Sequence, residues 1–267
     1  MVTSVQKSLM SATPTEKKDE GKYIEIFRDD FQWLDRNVWK FDIGKGPNDD
    51  GWGNGELQIY TDERQNAFVK DGVLHVRAIR SNRDENAWTS ARLTTRGTFS
   101  FAYGRVEARV RTERVDGPFS AVWALSEGAH DPRVGWPVCG EIDVFEMQTK
   151  WDYIPASLHF HDHHASTCLS YQNKNMAGME HDWHIYAAEW TPDSISFYHD
   201  DQIIGRYDKP SIPTPHNWPY CENNRFYLII NNAIGASWAT KPSSDLMLHD
   251  VEIDWISVSR KEVSETP

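Results

Sequence analysis

The stretch PVCGEIDVFEMQT, residues 137–149, places three acidic side chains within six consecutive positions of a strand-like run. Side chains of a strand alternate between its two faces. Glu141 and Asp143 therefore share a face, whereas Glu146 is out of phase with them. The large apolar residues between and before the acids indicate a central strand with one buried side, not a charged sheet edge.

A β-bulge at Val144 and Phe145 brings the third acid back into phase. A bulge adds one residue to a strand, so Glu146 returns to the face of Glu141 and Asp143. It also kinks and shortens the strand, so the two glutamates approach each other. The spacing E-x-D-x-x-E therefore predicts a bulge and a cluster of three carboxylates. Such a cluster raises at least one pKa by mutual repulsion, a cost that a purely structural role rarely accepts.

Carboxylates in this arrangement are typical of glycoside hydrolysis with retention. One is ionised and attacks the sugar, while a second is protonated and donates to the leaving oxygen, at a separation of about 5–5.5 Å. Asp143, between the glutamates, can hydrogen-bond one of them and hold their protonation states apart.

The remaining sequence carries the same alternation in many short runs separated by turn signals. In residues 105–111 charged side chains alternate with valine and alanine, and Asp71-Gly72 marks a hairpin. This pattern predicts an all-β fold, either an antiparallel β-sandwich or a jelly roll. We expect one domain over residues 22–262, after a disordered polar tail at 1–21 and before a short tail at 263–267.

The composition of the chain limits the classes of partner that it can bind. The net charge of −12 argues against nucleic acid and anionic membranes. No apolar run approaches the ~18 residues of a membrane helix, and the first residues show no apolar signal-peptide core. The 12 tryptophans favour a carbohydrate ligand, because sugar rings stack on flat aromatic faces. Cys139, Cys168 and Cys221 match no zinc spacing and leave open one disulfide with a free thiol or three thiols.

At this point the sequence resembles glycoside hydrolase family 16 and its laminarinase-like endo-β-1,3-glucanases. GEIDVFE matches the bulged signature, as distinct from the strictly alternating E-x-D-x-E of bacterial lichenases, and GWP lies just before it. GWGNGELQIYTD, SARLTTRGTFSFAYGRVEARV, HIYAAEWTPDSISFYHDD, FYLIINNAIG and EIDWISVSR resemble further family blocks in order. The resemblance covers residues 24–260. It implies a concanavalin A-like β-jelly-roll sandwich with a substrate cleft on its concave face.

The resemblance also implies roles for individual residues. Glu141 would be the nucleophile, Glu146 the general acid/base and Asp143 the assisting carboxylate. The residues that match cleft or substrate-binding positions are Trp136, Trp52, Asn54, Arg92, Arg105, Trp123 and His159. For these residues the alternative is structural: a core tryptophan, a loop tryptophan that covers the core, a surface salt bridge or a hydrogen-bonded histidine.

The expected reaction requires no cofactor, but the resemblance implies a structural calcium on the convex face. Its ligands would be the Asp254 carboxylate, the Gly72 carbonyl and a carbonyl near Asp30, since calcium prefers oxygen ligands. The run HFHDHH, residues 159–164, could suggest another metal, but the expected chemistry needs none.

The activity implied is endo-hydrolysis of β-1,3-glucan such as laminarin, with mixed β-1,3/1,4-glucan also open. Same-fold enzymes for agar, carrageenan or porphyran, a transglycosylase and a non-catalytic β-glucan recognition protein are the alternatives. Recognition proteins typically lack the signature acids, and all three are present here. Departures from the family at 119–120, 231–232 and 235–236 leave the subsite pattern open. We expect a monomer, and a polymeric substrate favours an extracellular location.

Overall fold

Two β-sheets packed face to face make up the fold. The computed structural model describes residues 22–82, 87–151, 153–162, 165–173, 182–211 and 218–262, and the side chains of these residues outside 161–173. The predicted tails at 1–21 and 263–267, the histidines at 163 and 164, and the side chain of Cys168 lie outside the described residues.

The described strands are, in chain order, β1 Tyr23–Asp29, β2 Lys40–Phe41, β3 Gln58–Tyr60, β4 Ala67–Lys70, β5 Val73–Arg80, β6 Trp88–Ser90, β7 Arg92–Thr94, β8 Gly104–Thr112, β9 Pro118–Ser126, β10 Glu141–Met147, β11 Ile154–Asp162, β12 Ala165–Asn173, β13 His184–Trp190, β14 Ser194–His199, β15 Gln202–Asp208, β16 Phe226–Ile234 and β17 Leu248–Lys261. Helical structure among the described residues is confined to single turns at Gly51–Gly55 and Glu127–His130. Neither could span a bilayer.

The ten-stranded sheet has the order β15-β14-β13-β8-β17-β5-β6-β3, with β1 paired to β17 and β4 paired to β5. The seven-stranded sheet has the order β12-β11-β10-β9-β16-β7-β2. Every strand pair is antiparallel except β3 with β6 among the described strands. Neighbours such as β8 and β17 are far apart in sequence, as in a jelly roll. The structure confirms the predicted all-β jelly-roll sandwich.

The core lies between the two sheets and follows the period-two pattern of the sequence. On β8, Val106, Ala108 and Val110 point into the main apolar cluster. On β10, Ile142 and Val144 do the same from the opposite sheet. Each sheet therefore has one buried face and one outward face, and the outward faces carry the polar residues. Strands β8 and β17 approach closely at Gly104, where an added Cβ would lie 2.4 Å from the Ser259 carbonyl oxygen, so only glycine fits there.

The two described cysteine side chains are free thiols. Cys139 is buried and Cys221 is exposed, and neither forms a disulfide. Burial, together with the negative charge of Glu141, raises the pKa of the Cys139 thiol to about 12, so it behaves as an apolar core group.

A buried polar cluster joins the two sheets at one end of the core. Asn232 on β16 donates to the carbonyls of Val76 and His249 at 3.0 Å each. Its side-chain oxygen accepts from Ser120 Oγ and lies 3.2 Å from His249 Nδ1. Because Asn232 is fully buried, water cannot replace these bonds.

We expect Asn232→Ala to lower the free energy of unfolding by about 2–4 kcal/mol, since it leaves buried polar groups without partners. Urea unfolding measures the loss. Asn223→Ala, at an exposed position, is the control and should change stability by less than about 0.5 kcal/mol. Equal stability of the two variants would show that the cluster does not hold the sheets together.

Candidate active site

The strand that carries the three acids contains the predicted β-bulge. Strand β10 pairs with β9 so that Asp143 lies opposite Trp123 and Phe145 opposite Val122. Val144 has no position of its own in this register. Val144 and Phe145 are consecutive, yet both contribute to the main core cluster. The bulge predicted at Val144 and Phe145 is therefore confirmed.

The bulge returns Glu146 to the face of the other two acids. On β11, Ser157 lies directly opposite Asp143, so the two side chains share a face. Ser157 Oγ also donates to Glu146 Oε2 at 3.2 Å. The same serine thus places Glu146 beside Asp143 on the outward face of the seven-stranded sheet. We call this surface the acid face.

Glu141 lies between an indole and an imidazole. Trp136 Nε1 donates to Glu141 Oε2 at 2.9 Å, although the tryptophan side chain is 54% exposed. His159, opposite Glu141 on β11, places Nε2 3.7 Å from Glu141 Oε1 and 3.1 Å from Asp143 Oδ2. Because Trp136 precedes β10 and His159 lies on its neighbour, two chain segments orient the two carboxylates.

The acids perturb one another electrostatically. Burial, followed by the negative charge of Asp143, raises the pKa of Glu141 to about 8. The charge of His159, the hydrogen bond from Trp136 and the charge of Arg92 act in the opposite direction. Glu141 therefore holds its proton to a higher pH than an ordinary glutamate does.

An arginine between two indoles extends the acid face toward β7. The Arg92 guanidinium lies 4.4 Å from the ring centre of Trp52 and 4.8 Å from that of Trp123. Arg92 Nε donates to Asp42 Oδ2 at 3.0 Å. Cation–π contacts of this kind are stronger where the cation is shielded from water, and Arg92 is nearly buried. The predicted residues Trp52, Arg92 and Trp123 thus form one stack beside the acids.

A chain of hydrogen bonds links this stack to the glycine-rich loop. Trp123 Nε1 donates to Asn231 Oδ1 at 2.7 Å, and Asn231 Nδ2 donates to Tyr60 Oη at 3.1 Å. Tyr60 Oη donates to Glu56 Oε2 at 3.3 Å, and the predicted Asn54 donates to Glu56 Oε1 at 2.9 Å. The side chain of Asn54 therefore orients a buried carboxylate instead of standing free on the loop.

Sequence reasoning missed Glu56, Gln58 and Tyr60 as part of this network. The signal was present, because these polar residues alternate with Leu57 and Ile59 along ELQIY. Such alternation predicts that the three share one face of a strand. Gln58 Nε2 donates to Glu56 Oε2 at 2.6 Å, and all three side chains are buried.

An aromatic wall beyond the end of β10 was also missed. Trp151 stacks on Tyr153 and on Trp238, with ring centres 5.7 and 5.5 Å apart. The edge of Phe119, on the acid face of β9, meets Trp238 at 4.6 Å. These residues come from separate parts of the chain, so spacing alone could not assemble them.

The sequence interpretation of Arg105 was wrong. Arg105 lies on β8 in the ten-stranded sheet, where it alternates with core residues and points to that sheet's outward face. Its side chain is only 5% exposed, packs 4.4 Å from the ring of Tyr198 and pairs with Glu107 at 2.9 Å. Arg105 therefore belongs to an ion-pair cluster on the face opposite the acids.

The predicted calcium donors are engaged by other groups. Asp254 Oδ2 accepts from Arg109 Nη1 at 2.5 Å. The Asp30 carbonyl accepts from Gln32 Nε2 at 3.3 Å, and the turn at Gly72 lies against the same amide. The turn and Asp30 are thus neighbours, but a guanidinium already neutralises Asp254. This arrangement does not fit a calcium ion unless Arg109 moves.

A bulged strand with three carboxylates on the outward face of a jelly-roll sandwich defines a glycoside hydrolase site. The chain belongs to the glycosyl hydrolases family 16, whose model matches residues 49–257. It is 31% identical to a beta-glucanase of Rhodothermus marinus over 92% of this chain and 88% of that protein.

Solved structures agree with the family. The laminarinase of Flavobacterium sp. UMI-01 superposes with a TM-score of 0.78 at 31% identity, over 89% of this chain and all of that one. The laminarinase catalytic domain of Thermotoga maritima MSB8 gives 0.78 at 31% identity, over 90% and 99%. The resemblance of the sequence to this family is confirmed, and the protein is a glycoside hydrolase.

The raised pKa of Glu141 has a consequence for stability. The folded protein holds a proton at Glu141 up to about pH 8, whereas an ordinary glutamate releases it near 4.5. Folding therefore becomes less favourable as pH rises through that window. Glu141→Gln keeps the shape of the side chain but cannot ionise. We expect its melting temperature to exceed that of the wild type increasingly between pH 4.5 and 8, by about 2–4 °C for each kcal/mol gained.

Thermal unfolding across this pH range measures the difference. Glu63→Gln, at an exposed position, is the control and should follow the wild type at every pH. A constant or shrinking gap between Glu141→Gln and the wild type would contradict the assignment of a buried, proton-retaining carboxyl at position 141.

Proposed function

We propose that this protein hydrolyses internal β-1,3-glucosidic bonds of β-glucans such as laminarin, by double displacement with retention. The observation that carries the proposal is the bulge, which puts Glu141, Asp143 and Glu146 on one face beside the exposed indole of Trp136. The names of the family relatives, a beta-glucanase and laminarinases, support the substrate class.

In the first step, Glu141 attacks the anomeric carbon and forms a covalent glycosyl ester. Glu146 gives its proton to the glycosidic oxygen as the carbon–oxygen bond breaks, so the leaving chain departs as a neutral alcohol. Glu141 must be ionised for this attack. The N–H of Trp136 and the charge of His159 favour that form, against burial and the charge of Asp143.

In the second step, water attacks the same carbon from the side of the departed chain. Glu146, now ionised, takes a proton from the water, and Glu141 leaves as a carboxylate. The anomeric carbon is inverted twice, so its β configuration is retained. Glu146 ends protonated and is ready for another cycle. Neither step requires a metal or another cofactor.

The shape and charge of the acid face support a neutral glucan. Trp136 offers a flat exposed surface next to the nucleophile, and sugar rings stack on such surfaces. Arg92 is covered on both sides by Trp52 and Trp123 and already pairs with Asp42. It is therefore poorly placed to bind the sulfate groups of carrageenan or porphyran. Mixed β-1,3/1,4-glucan belongs to the same neutral class and is a second substrate in this proposal.

A β-glucan recognition protein without catalysis is the other candidate. It would need no proton donor beside its carboxylates. Here Glu146 is held by Ser157, and Glu141 by Trp136, in positions that serve proton transfer and attack. Binding alone gives no reason for that arrangement.

The three acids come from one strand of one chain, so the reaction needs no second subunit, and we propose a monomer. Calcium at Asp254 stays a prediction, because the ion would have to displace the Arg109 guanidinium. Loss of calcium would then change the stability of the ten-stranded sheet and leave the three acids in place.

The test of the activity is the release of reducing ends from laminarin by wild type, Glu141→Gln and Glu146→Gln. We expect each substitution to lower kcat by about 10²–10⁴-fold or more, since each removes a proton carrier or the nucleophile.

The control is Trp183→Ala, whose ring stacks on arginines of the outward face of the ten-stranded sheet, and it should retain wild-type activity. Wild-type protein that binds laminarin but releases nothing would support recognition and reject catalysis. Faster cleavage of agar or lichenan would reject the substrate.

Azide separates the roles of the two glutamates. In Glu146→Ala the glycosyl ester forms on an activated aryl glucoside, and azide should convert it to a β-glycosyl azide. In Glu141→Ala azide replaces the missing nucleophile in a single displacement and should give an α-glycosyl azide. The opposite pairing of products would exchange the two roles.

Asp143→Asn should move the acidic limb of the kcat/KM profile to lower pH. Removing the Asp143 charge lowers the pKa of Glu141, so the nucleophile ionises earlier. Since closely coupled carboxyls shift each other's pKa by more than about one unit, we expect the limb to move by about one unit or more. Asp62→Asn, at an exposed position, is the control. An unchanged limb would show that Asp143 does not control the ionisation of Glu141.

A further inference from the structure

Three metal-ligating side chains converge at the end of the β13–β14 hairpin, away from the acids. His184 begins β13, His199 ends β14, and Asp200 follows in the turn. Asp200 Oδ2 lies 2.7 Å from His184 Nδ1 and 3.5 Å from His199 Nε2. One ligand atom from each residue lies within 4.8 Å of the other two.

Strand register places both imidazoles at the rim of the sandwich interior. His184 lies opposite Val110, and His199 lies opposite Tyr186, and both partners belong to the main core cluster. The side chains of His184 and His199 are accordingly only 16% and 11% exposed. Asp200 is 45% exposed, so the cluster keeps a route to solvent.

We propose that His184, His199 and Asp200 bind a divalent transition-metal ion, with zinc the best match. Two imidazoles and a carboxylate are common zinc ligands at about 2.0–2.2 Å. Tetrahedral geometry at that bond length separates ligand atoms by about 3.3–3.6 Å. The distance from Asp200 to His199, 3.5 Å, lies in this range, and the distance to His184, 2.7 Å, would have to lengthen by about 0.6 Å to enclose an ion. A water molecule would complete the coordination.

The carboxylate is fixed by bonds to the neighbouring strand. Asp200 Oδ1 accepts from the backbone N–H of Ile185 at 2.9 Å, which leaves Oδ2 to face the imidazoles. The backbone N–H of Asp200 also donates to the Ile185 carbonyl at 2.8 Å. Asp200 adopts this position with φ +47, a left-handed conformation that aspartate tolerates in turns. Outer bonds of this kind orient the ligands of metal sites.

The two nitrogens of the His184 ring have different surroundings. His184 Nε2 is shielded from solvent and has no hydrogen-bond partner among the described residues. Buried polar groups in proteins nearly always have a partner, and an ion or an ordered water accounts for many apparent exceptions. A neutral imidazole has one lone pair, so an ion bound at Nδ1, the nitrogen that faces Asp200, leaves the ring proton on Nε2.

Another His/Asp/Glu cluster shows what distinguishes this one. His75, Asp250 and Glu252 also converge on the outward face of the ten-stranded sheet. There Arg77 holds Asp250 through two bonds of 2.7 Å, and Arg111 pairs with Glu252. Guanidinium groups thus occupy the oxygens that a cation would need.

The cluster at Asp200 differs from the His75 cluster in how its carboxylate is paired. In the described part of the chain its carboxylate forms ion pairs with the two histidines alone. No guanidinium has to be displaced for a cation to enter.

A bound ion would strengthen the interior near the catalytic strand. It would join the start of β13 to the turn after β14. His199 lies 5.1 Å from the ring of Tyr186, which lies 4.7 Å from the ring of Phe145 at the bulge. The metal takes no part in the proposed hydrolysis, and its role is structural.

The test uses the full chain, stripped with a chelator and titrated with zinc or cobalt. We expect one equivalent of zinc to bind and to raise the melting temperature by several degrees. Cobalt should give the intense visible absorption of a tetrahedral site. His184→Ala and Asp200→Asn should each weaken zinc binding by at least tenfold, while His75→Ala should bind within twofold of wild type. Asp200→Asn lies in an exposed turn and keeps the test valid if His184→Ala does not fold.

Three results would overturn the proposal. They are the absence of zinc binding to wild type, equal binding by Asp200→Asn and wild type, and loss of the bound equivalent in Glu141→Gln instead. The last result would place the ion at Glu141, Asp143 and His159, the third cluster with ligating geometry. Since hydrolysis is assayed separately on metal-free protein, failure of this inference leaves the proposed activity standing.

Discussion

One extra residue in strand β10 is the constraint on which the site depends. Without the bulge at Val144, Glu146 would point into the core beside Ile142 and Val144. A buried, unpaired carboxylate there would cost several kcal/mol. With the bulge, two consecutive apolar residues fill the core and three acids share the outer face. Packing and chemistry are thus satisfied by a single change in backbone register.

Opposing electrostatic effects act on Glu141, and hydrogen bonds fix the groups around it. Burial and mutual repulsion oppose ionisation of Glu141, whereas Trp136 and His159 favour it. The surroundings of these groups are fixed by hydrogen bonds that run from Trp123 through Asn231 and Tyr60 to the glycine-rich loop. Preorganised dipoles of this kind act on the reacting charges without having to reorient during reaction.

Sequence reasoning reached the fold and the acid strand because both depend on local periodicity. Alternation on β8 identified the core side of that strand, and the spacing from Glu141 to Glu146 implied the bulge. The resemblance to family arginines near the cleft was misleading for Arg105, because alternation says which residues point outward but not which sheet a strand joins. In fact the outward phase of Arg105 was visible, and only its assignment to the acid face was wrong.

Other parts of the site depend on contacts between distant segments. The Trp52–Arg92–Trp123 stack unites a loop and two strands, and the Trp151–Trp238 contact joins positions 87 apart in sequence. No spacing rule links such residues. The resemblance to the family nevertheless predicted Trp52, Arg92 and Trp123 one by one, because each lies in a stretch of sequence that matches a family block.

The bulge also bears on how such enzymes diversify. If Val144 were absent, Phe145 would take its core position, and the acids would read E-x-D-x-E in strict alternation, all still on one face. The two forms of the signature are therefore separated by the gain or loss of a single codon, with no reversal of the strand between them. An insertion or deletion in the middle of a strand normally turns every following side chain to the opposite face. Here the bulge absorbs the extra residue, so the third acid stays on the same face in either form.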